Sequence, residues 1–118
     1  MPGGNTVLVV DDEASIRLLC RINLELDGHR VLEAATLGEA REALGEEPSL
    51  VLLDLHVGTD DGLDLLTEIR QEHPEMRVVL LTGTVDLGPT ERKLADGVLL
   101  KPFTLEELAS TVRRFARV

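Results

Sequence analysis

The sequence predicts an α/β fold in which one parallel sheet lies between two layers of helices. Apolar runs and helical patterns alternate along the whole chain, and four of the five runs are continuous rather than alternating with polar residues. Continuous runs are typical of strands buried on both faces of a parallel sheet. Only 2% of the 118 residues are aromatic, so the core is built from aliphatic side chains. That length suits one domain, which we expect to span residues 1–118.

Five strands and five helices are expected in alternation. The strands are expected at residues 6–10, 30–34, 50–55, 77–82 and 97–100, and the second, whose pattern is mixed, belongs nearer an edge. The helices are expected at residues 14–26, 36–44, 62–73, 90–95 and 104–115. A capping box from Thr36 to Glu39 begins the second helix, and one from Thr104 to Glu107 begins the last.

The fourth helix is expected to be short. Gly88 and Pro89 interrupt its pattern and leave one or two turns before the last strand. Because crossovers between parallel strands are right-handed, the helices are expected to cover both faces of the sheet, as in doubly wound folds.

Charge and composition exclude several classes of function. The chain carries 22 Asp and Glu against 12 Lys and Arg, a formal net charge of −10. Nucleic-acid binding depends on cations that contact phosphates, so we expect no direct binding of nucleic acid. No run approaches the roughly 18 apolar residues of a membrane span, and the first residues do not resemble a secretion signal. With Cys20 as the single cysteine, we expect a soluble, cytoplasmic protein without an internal disulfide.

Polar side chains directly follow four of the five strands. They are Asp11, Asp12, Asp54, Thr82 and Lys101. Ligands of a doubly wound sheet bind beyond the carboxyl ends of the strands, so we expect these five side chains at one edge. Taken alone, Asp12 or Glu13 could simply cap the first helix. Thr82 alone is more often a turn residue and Lys101 a solvated lysine, but the conjunction favours a functional site.

The three carboxylates at this edge predict a cation. Carboxylates held close together repel one another unless a cation is present, and oxygen ligands in this number suit Mg²⁺ or Mn²⁺. A threonine hydroxyl and a lysine ammonium beside such a metal are a donor and a counter-charge for phosphoryl oxygens. The pattern therefore predicts a site where one carboxylate is the nucleophile and forms an aspartyl phosphate.

Four segments together resemble the receiver domain of two-component response regulators, over essentially the full length of the chain. They are VLVVDDE (residues 7–13), LVLLDLHVGTDDG (50–62), VVLLTG (78–83) and LLKPF (99–103). The resemblance implies a flavodoxin-like, three-layer (βα)5 sandwich whose parallel sheet has the strand order 2-1-3-4-5. It also implies that Asp54 is the phosphoacceptor, and that Asp61 and Gly62 form the turn into the third helix.

The resemblance further implies a ligand set for the metal. Asp12 and Asp54 would give side-chain ligands to Mg²⁺ or Mn²⁺, and Asp11 would hold a metal-bound water. His56 would contribute its backbone carbonyl.

By the same resemblance, Thr82 and Lys101 would bind the phosphoryl oxygens. The peptide between Lys101 and Pro102 is expected to be cis, and Gly83, which has no side chain, would leave room for the phosphoryl group.

Three further positions are expected to modulate the site. His56 and Thr84 stand two residues after Asp54 and Thr82, where they would influence how water reaches the aspartyl phosphate. For His56, an ordinary exposed loop histidine is the alternative. Val98 stands three residues before Lys101, where receivers usually have an aromatic residue, so switching by rotation of a ring is not expected.

The favoured hypothesis is a phosphoacceptor module rather than an enzyme, which assists its own phosphorylation and dephosphorylation and switches conformation or partner binding. Its partner would be a histidine kinase or a phosphotransfer protein, with a kinase or output domain possible outside this chain. One alternative is a receiver-fold binding module that works without phosphorylation. Another is a phosphohydrolase similar to haloacid dehalogenases, although that family needs an acid where this chain has His56.

Overall fold

The central sheet collects strands from five places along the chain. The structure, a computed structural model, describes residues 5–83 and 87–116. Its strands are β1 (Thr6–Val10), β2 (Arg30–Ala34), β3 (Leu50–Asp54), β4 (His56–Val57), β5 (Asp60–Asp61), β6 (Arg77–Thr82) and β7 (Gly97–Leu100). Five of them form a parallel sheet in the order β2-β1-β3-β6-β7. Counted within that sheet, this is the predicted order 2-1-3-4-5, and β2 lies at an edge as its mixed pattern indicates.

The described residues include five helices, of which four connect strands and the fifth follows the last strand. They are α1 (Ala14–Leu26), α2 (Leu37–Ala43), α3 (Gly62–Glu72), α4 (Pro89–Leu94) and α5 (Leu105–Phe115), and a 3₁₀ turn at Leu44–Glu46 follows α2. The short fourth helix is confirmed at six residues, with Pro89 at its first position, where a missing N–H costs nothing. Within residues 5–83 and 87–116, no helix is both long and apolar enough to cross a membrane.

The two faces of the sheet bury separate apolar cores. Successive side chains of a strand point to opposite faces, so Leu8 and Val10 join one core while Val7 and Val9 join the other. The first core is closed by α2 and α3, and the second by α1 and α5. Each large aliphatic side chain that is fully buried contributes about 1.5–3 kcal/mol. Helices on both faces explain why the central strands are continuously apolar.

The chain differs from the prediction just after β3. That strand ends at Asp54 rather than at residue 55, because Leu55 leaves the sheet and its carbonyl accepts a hydrogen bond from Gly62 N at 2.7 Å. The intervening residues form an unpredicted antiparallel ladder of β4 and β5. Its turn contains Gly58 at a φ of +64°, a conformation that glycine adopts without strain.

The two predicted capping boxes have different outcomes. At α5, Glu107 N donates to the Thr104 hydroxyl, and Thr104 N donates to the Glu107 carboxylate, so the box is complete. At α2, the Thr36 hydroxyl caps the helix, but the Glu39 carboxylate accepts from Ala35 N instead of Thr36 N. The capping box of α2 is therefore formed only in part, because the Glu39 carboxylate bonds the N–H one residue before the expected one.

Candidate functional site

Three carboxylates meet at the carboxyl edge of the sheet. Ligand atoms of Asp11, Asp12 and Asp54 all lie within 4.8 Å of one another. The pairing of Val10 with Leu53 brings the ends of β1 and β3 side by side, which sets this separation. Asp11 is fully buried and Asp54 is 6% exposed, whereas Asp12 is exposed. We call these three residues, together with Lys101, the acidic edge.

Lys101 is the cation of the acidic edge. Its Nζ lies 2.8 Å from Asp11 Oδ2 and 3.3 Å from Asp54 Oδ2. The carboxylate of Glu13, which the sequence did not indicate, lies 3.6 Å from the same ammonium. Lys101 N donates to Thr82 O at 2.9 Å, and the peptide that follows Lys101 is cis, as expected. One ammonium thus contacts three acids.

The acidic edge shifts the ionisation of its own groups. Burial raises the pKa of the Asp54 carboxyl above its ordinary value, and repulsion from Asp11 acts in the same direction. The hydrogen bond from His56 N and the charge of Lys101 lower the pKa, but only partly offset this rise. Burial would lower the pKa of Lys101, but the hydrogen bond and charge of Asp11, followed by those of Asp54, hold it above its ordinary value. Burial also raises the pKa of the nearby Cys20 thiol to about 12, so this thiol stays protonated. The edge therefore holds a charged ammonium beside a carboxylate that is costly to ionise.

The backbone around Asp54 is closely packed. Its Oδ1 accepts a hydrogen bond from His56 N at 3.2 Å. Asp61 caps α3 by accepting from Leu63 N, and a Cβ on Gly62 would clash with the carbonyl oxygen of Asp54. The Asp-Gly turn therefore lets α3 begin directly against the strand end that carries Asp54. This is the physical reason for glycine at position 62.

Thr82 lies at the same edge, at the end of the neighbouring strand. Asp54 pairs with Leu81 in the parallel register, so Thr82 comes one residue beyond it. Thr82 is 1% exposed, and its hydroxyl donates to the Gly83 carbonyl at 3.1 Å. Among the residues that the structure describes, none has an atom within 4 Å of a Cβ placed on Gly83.

The proposed modulators occupy different surroundings. His56 is exposed at the start of β4. Val98 is partly buried and packs against the core beneath α2 and α3, so a small aliphatic side chain fills this position. Thr84 lies outside the described residues.

The capping alternative for the acids of the first loop is not realised. The N-cap residue of α1 is Glu13, and its side chain makes no capping hydrogen bond. Instead, Glu13 N donates to Asp11 Oδ1 at 2.9 Å, so the buried acid organises the loop. Sequence reasoning also missed Arg17, whose Nη1 donates to the Asp11 carbonyl at 2.7 Å. The available signal was its position one helical turn beyond Glu13.

The donor set fits a small divalent cation. Mg²⁺ is bound through one or two carboxylates together with water, and Mn²⁺ also prefers oxygen ligands. Three carboxylates within 4.8 Å exceed that requirement. The same edge supplies a lysine ammonium, and Thr82 stands at the next strand end, so phosphoryl oxygens beside the cation would find two further donors.

Comparisons with known proteins agree with this geometry. Residues 7–113 match the family model described as the response regulator receiver domain. The chain is 36% identical over 119 residues to the sensor kinase CckA of Brucella abortus, covering 96% of this chain and 13% of that protein. It is 37% identical over 111 residues to the KDP operon transcriptional regulatory protein KdpE of Escherichia coli, covering 91% of this chain and 49% of that protein.

A solved structure with a similar fold is the receiver domain of NtrX from Brucella abortus. It superposes with a TM-score of 0.86 at 34% identity, covering 93% of this chain and 97% of that one. The chain spans about half, or less, of the length of the curated relatives it matches.

Proposed function

The chain belongs to the response regulator receiver domain family, whose members accept phosphoryl groups from histidine kinases, and on that premise we propose that Asp54 is its phosphoacceptor. The observation that carries the proposal is the sharing of one ammonium by two buried acids. Lys101 Nζ lies 3.3 Å from Asp54 and 2.8 Å from Asp11. A carboxylate at the centre of such a site has both a neighbouring donor and a place for a metal.

The transfer proceeds by attack of an Asp54 carboxylate oxygen on the phosphorus of a phosphohistidine. An oxygen–phosphorus bond forms, the nitrogen–phosphorus bond of the donor breaks, and the imidazole leaves with a proton from solvent. Lys101 is held protonated and in contact with Asp54, so it is placed to donate to a phosphoryl oxygen. The Thr82 hydroxyl donates to a second phosphoryl oxygen after turning from the Gly83 carbonyl.

The acids of the first loop hold the metal together with Asp54. Mg²⁺ or Mn²⁺, when bound, neutralises the negative charge that gathers on the phosphoryl oxygens. Asp12, the exposed acid, and Asp54 give direct ligands, and the His56 carbonyl gives a third. Asp11 is fully buried and already bonded to Lys101, which supports an indirect role through a metal-bound water.

Residues around the acceptor set the lifetime of the phosphoryl group. His56 is exposed and stands two residues beyond Asp54, and its backbone N–H donates to the Asp54 carboxylate. Gly83 leaves open space where the phosphoryl group needs it. Thr84, two residues after Thr82 in the sequence, influences the approach of water as well. With Val98 three residues before Lys101, switching does not use the rotation of an aromatic ring. The domain is thus a phosphoacceptor that assists its own reactions rather than an enzyme with a separate substrate.

The kinase or phosphotransfer partner docks on α1. Leu18, Ile22 and Leu26 are 54%, 49% and 80% exposed and follow one another at four-residue spacing. That spacing places them on one face of the helix, and α1 begins at the loop of acids. An apolar stripe on the helix that begins at the loop of acids suits a helical, phosphohistidine-bearing domain.

The output is proposed to lie in a kinase or output domain linked to this receiver. Its relatives include a sensor kinase and transcriptional regulators, of which a receiver domain is one part. We therefore infer a linked kinase or output domain and a cytoplasmic location, where such kinases work. Neither the family match nor the named relatives favour a phosphohydrolase or a module independent of phosphorylation.

The test is intact mass spectrometry after incubation with Mg²⁺ and acetyl phosphate or phosphoramidate. The wild-type chain is expected to gain one phosphoryl group, and Asp54→Asn none. Asp60→Asn is the matched control, because Asp60 is an exposed acid six residues away that lies outside the acidic edge. No gain by the wild type, or an equal gain by Asp54→Asn, contradicts the proposal. Continuous release of inorganic phosphate from an ester would instead identify the phosphohydrolase.

A further inference from the structure

The loop that carries two of the three acids is held from outside the acidic edge by a chain of ion pairs. Arg17 Nη1 donates to the backbone carbonyl of Asp11 at 2.7 Å. The Nε of the same guanidinium donates to Glu33 on β2 at 3.2 Å. The other oxygen of Glu33 accepts from Arg21 Nη1 at 2.7 Å. The chain of contacts thus runs from the surface of α1, through β2, to the start of the loop.

This arrangement is more restrained than a surface ion pair. The Arg17 side chain is 17% exposed and that of Glu33 is 25% exposed. Partial burial reduces screening by solvent and salt, and the planar guanidinium uses two of its donors in fixed directions. Arg17 N also donates to Glu13 O at 3.2 Å, so both ends of the loop are tied to this one residue.

The carbonyl that Arg17 holds belongs to the peptide that leads to Asp12. Asp11 N donates to Ala34 O at 3.1 Å, as a strand residue would. The carbonyl of Asp11, in contrast, lies in the segment that leaves the sheet and accepts from Arg17. A peptide unit is planar, so fixing the Asp11 carbonyl also fixes the direction of the Asp12 backbone. Among the described residues, no side chain holds the Asp12 carboxylate. The position of Asp12 therefore depends on the peptide that precedes it.

We propose that Arg17 is a positioning residue for the metal site. Anchored by Glu33, it holds the peptide between Asp11 and Asp12 so that the Asp12 carboxylate stays within ligand distance of Asp54. The inference rests on the proposed function, because it assigns a role to Arg17 only if the acidic edge binds Mg²⁺. It differs from that proposal in concerning a cation that touches neither the metal nor the phosphoryl group.

The sign of the effect separates positioning from simple charge. Removing a positive charge near a cation site strengthens binding of the cation by Coulomb's law. Loss of positioning weakens it, because a ligand that is free to move must be ordered when the metal binds. Replacement of a residue that orients metal ligands typically costs 10- to 100-fold in affinity. The two effects of Arg17→Ala therefore have opposite directions, and positioning is the larger.

The test measures the Mg²⁺ dissociation constant by titration calorimetry. For Arg17→Ala we expect binding about tenfold weaker than in the wild type. Arg21→Ala is the matched control. It removes a positive charge from the same helix and one of the two arginines that pair with Glu33, but Arg21 does not bond the Asp11 carbonyl. The affinity of this variant is expected to stay within about twofold of the wild type or to rise slightly.

A second variant guards against loss of folding. Arg17→Lys keeps the charge but has a single nitrogen, which cannot serve both the Asp11 carbonyl and Glu33. We expect it to be folded by urea denaturation and to bind Mg²⁺ more weakly than the wild type. Mg²⁺ affinities of both Arg17 variants equal to or tighter than that of the wild type overturn the inference alone. Absence of Mg²⁺ binding in the wild type overturns both the inference and the proposed function.

Discussion

The two edges of the sheet each contain a partly buried ionic centre, and the two centres are built differently. At the carboxyl edge, three carboxylates cluster within 4.8 Å of one another, and one ammonium contacts two of them, with Glu13 as a further acid at 3.6 Å from it. At the amino edge, a single guanidinium, that of Arg70, meets three acceptors. The first centre has an excess of negative charge, whereas the second has its charges and hydrogen bonds matched.

The amino-edge centre joins four segments of the chain. Arg70 on α3 donates to Leu94 O at 2.6 Å, to Met76 O at 2.7 Å and to the Asp96 carboxylate at 2.5 Å. Asp96 also accepts from Val78 N at 2.7 Å. We call these contacts the Arg70 clamp. It ties the end of α4 to α3 and to the first residues of β6 and β7.

The difference teaches how to separate a stabilising ionic centre from a functional one. Both are partly buried, so burial alone does not distinguish them. In the Arg70 clamp, each of the three guanidinium nitrogens donates to an acceptor, which favours stability. In the acidic edge, repulsion among the acids raises the energy of the metal-free state and is relieved by a cation. Charge imbalance at a strand end, rather than the presence of charge, indicates binding.

The largest effect on stability is expected from breaking the Arg70 clamp. Arg70→Ala leaves two carbonyls without this donor and takes the cation from Asp96, which keeps only the Val78 N–H of the contacts in the clamp, so the free energy of unfolding should fall by about 2–3 kcal/mol. Urea denaturation measures this loss, and calorimetry should show unchanged Mg²⁺ affinity. Arg41→Ala is the control, because Arg41 pairs with Glu68 on the exposed surface and its loss should have a much smaller effect. Weaker Mg²⁺ binding by Arg70→Ala would remove the distinction between the edges.

Removing the Lys101 ammonium from the acidic edge should have the next largest effect on stability. Lys101→Ala leaves the fully buried Asp11 without this cation, and should lower the free energy of unfolding by about 2 kcal/mol in metal-free buffer. Mg²⁺ should bind more tightly than in the wild type, because a competing cation is gone, and should restore most of the stability. Lys93→Ala, at an exposed lysine of α4, should change neither quantity. A loss of stability that Mg²⁺ does not restore would show that Lys101 is a structural residue.

Neutralising the acceptor should have a smaller effect of opposite sign. Burial raises the pKa of Asp54. The native state therefore binds its proton more tightly than the unfolded state, and stability falls as pH rises through these pKa values. Asp54→Asn should raise the free energy of unfolding by on the order of 1 kcal/mol at neutral pH without metal.

The pH dependence of that difference is the check. Denaturation of the wild type and of Asp54→Asn between about pH 3 and 7 should show the two converging towards the acid end, as the pH falls below the ordinary pKa and Asp54 becomes protonated in both states. A wild type more stable than Asp54→Asn at neutral pH would mean that the Lys101 contact outweighs burial.

The smallest effect on stability is expected at Glu13, which lies next to the acidic edge. Glu13 is 60% exposed and lies 3.6 Å from Lys101, so Glu13→Gln should change the free energy of unfolding by less than about 0.5 kcal/mol. A loss as large as that of Lys101→Ala would place Glu13 within the acidic edge.

The parts of the structure that follow local rules were predictable from the sequence. Apolar runs, four of them continuous and one mixed, predicted the five strands of the sheet, and Gly88 and Pro89 predicted the short α4. The polar residues after the strands predicted which side chains meet at the carboxyl edge, because parallel strands end together.

Contacts between distant segments were not predictable in the same way. The Arg70 clamp joins a guanidinium to carbonyls up to 24 residues away, and no local pattern marks such acceptors. Arg17 likewise bonds a backbone carbonyl, a group that every residue carries. The ladder of β4 and β5 has two residues in each strand, too few to show a period.

The most direct test of the charge-imbalance account is the free energy of unfolding of the wild-type chain as a function of Mg²⁺ concentration. A cation that binds only the folded state adds RT ln(1 + [Mg²⁺]/Kd), so the free energy should rise with the logarithm of concentration above Kd. For Asp12→Asn, the free energy of unfolding should rise much less with Mg²⁺ concentration. For Arg70→Ala, it should be lower without Mg²⁺ but should rise by the same amount as in the wild type. A flat profile for the wild type would contradict the account, because the Lys101 ammonium alone would then suffice for the crowded carboxylates.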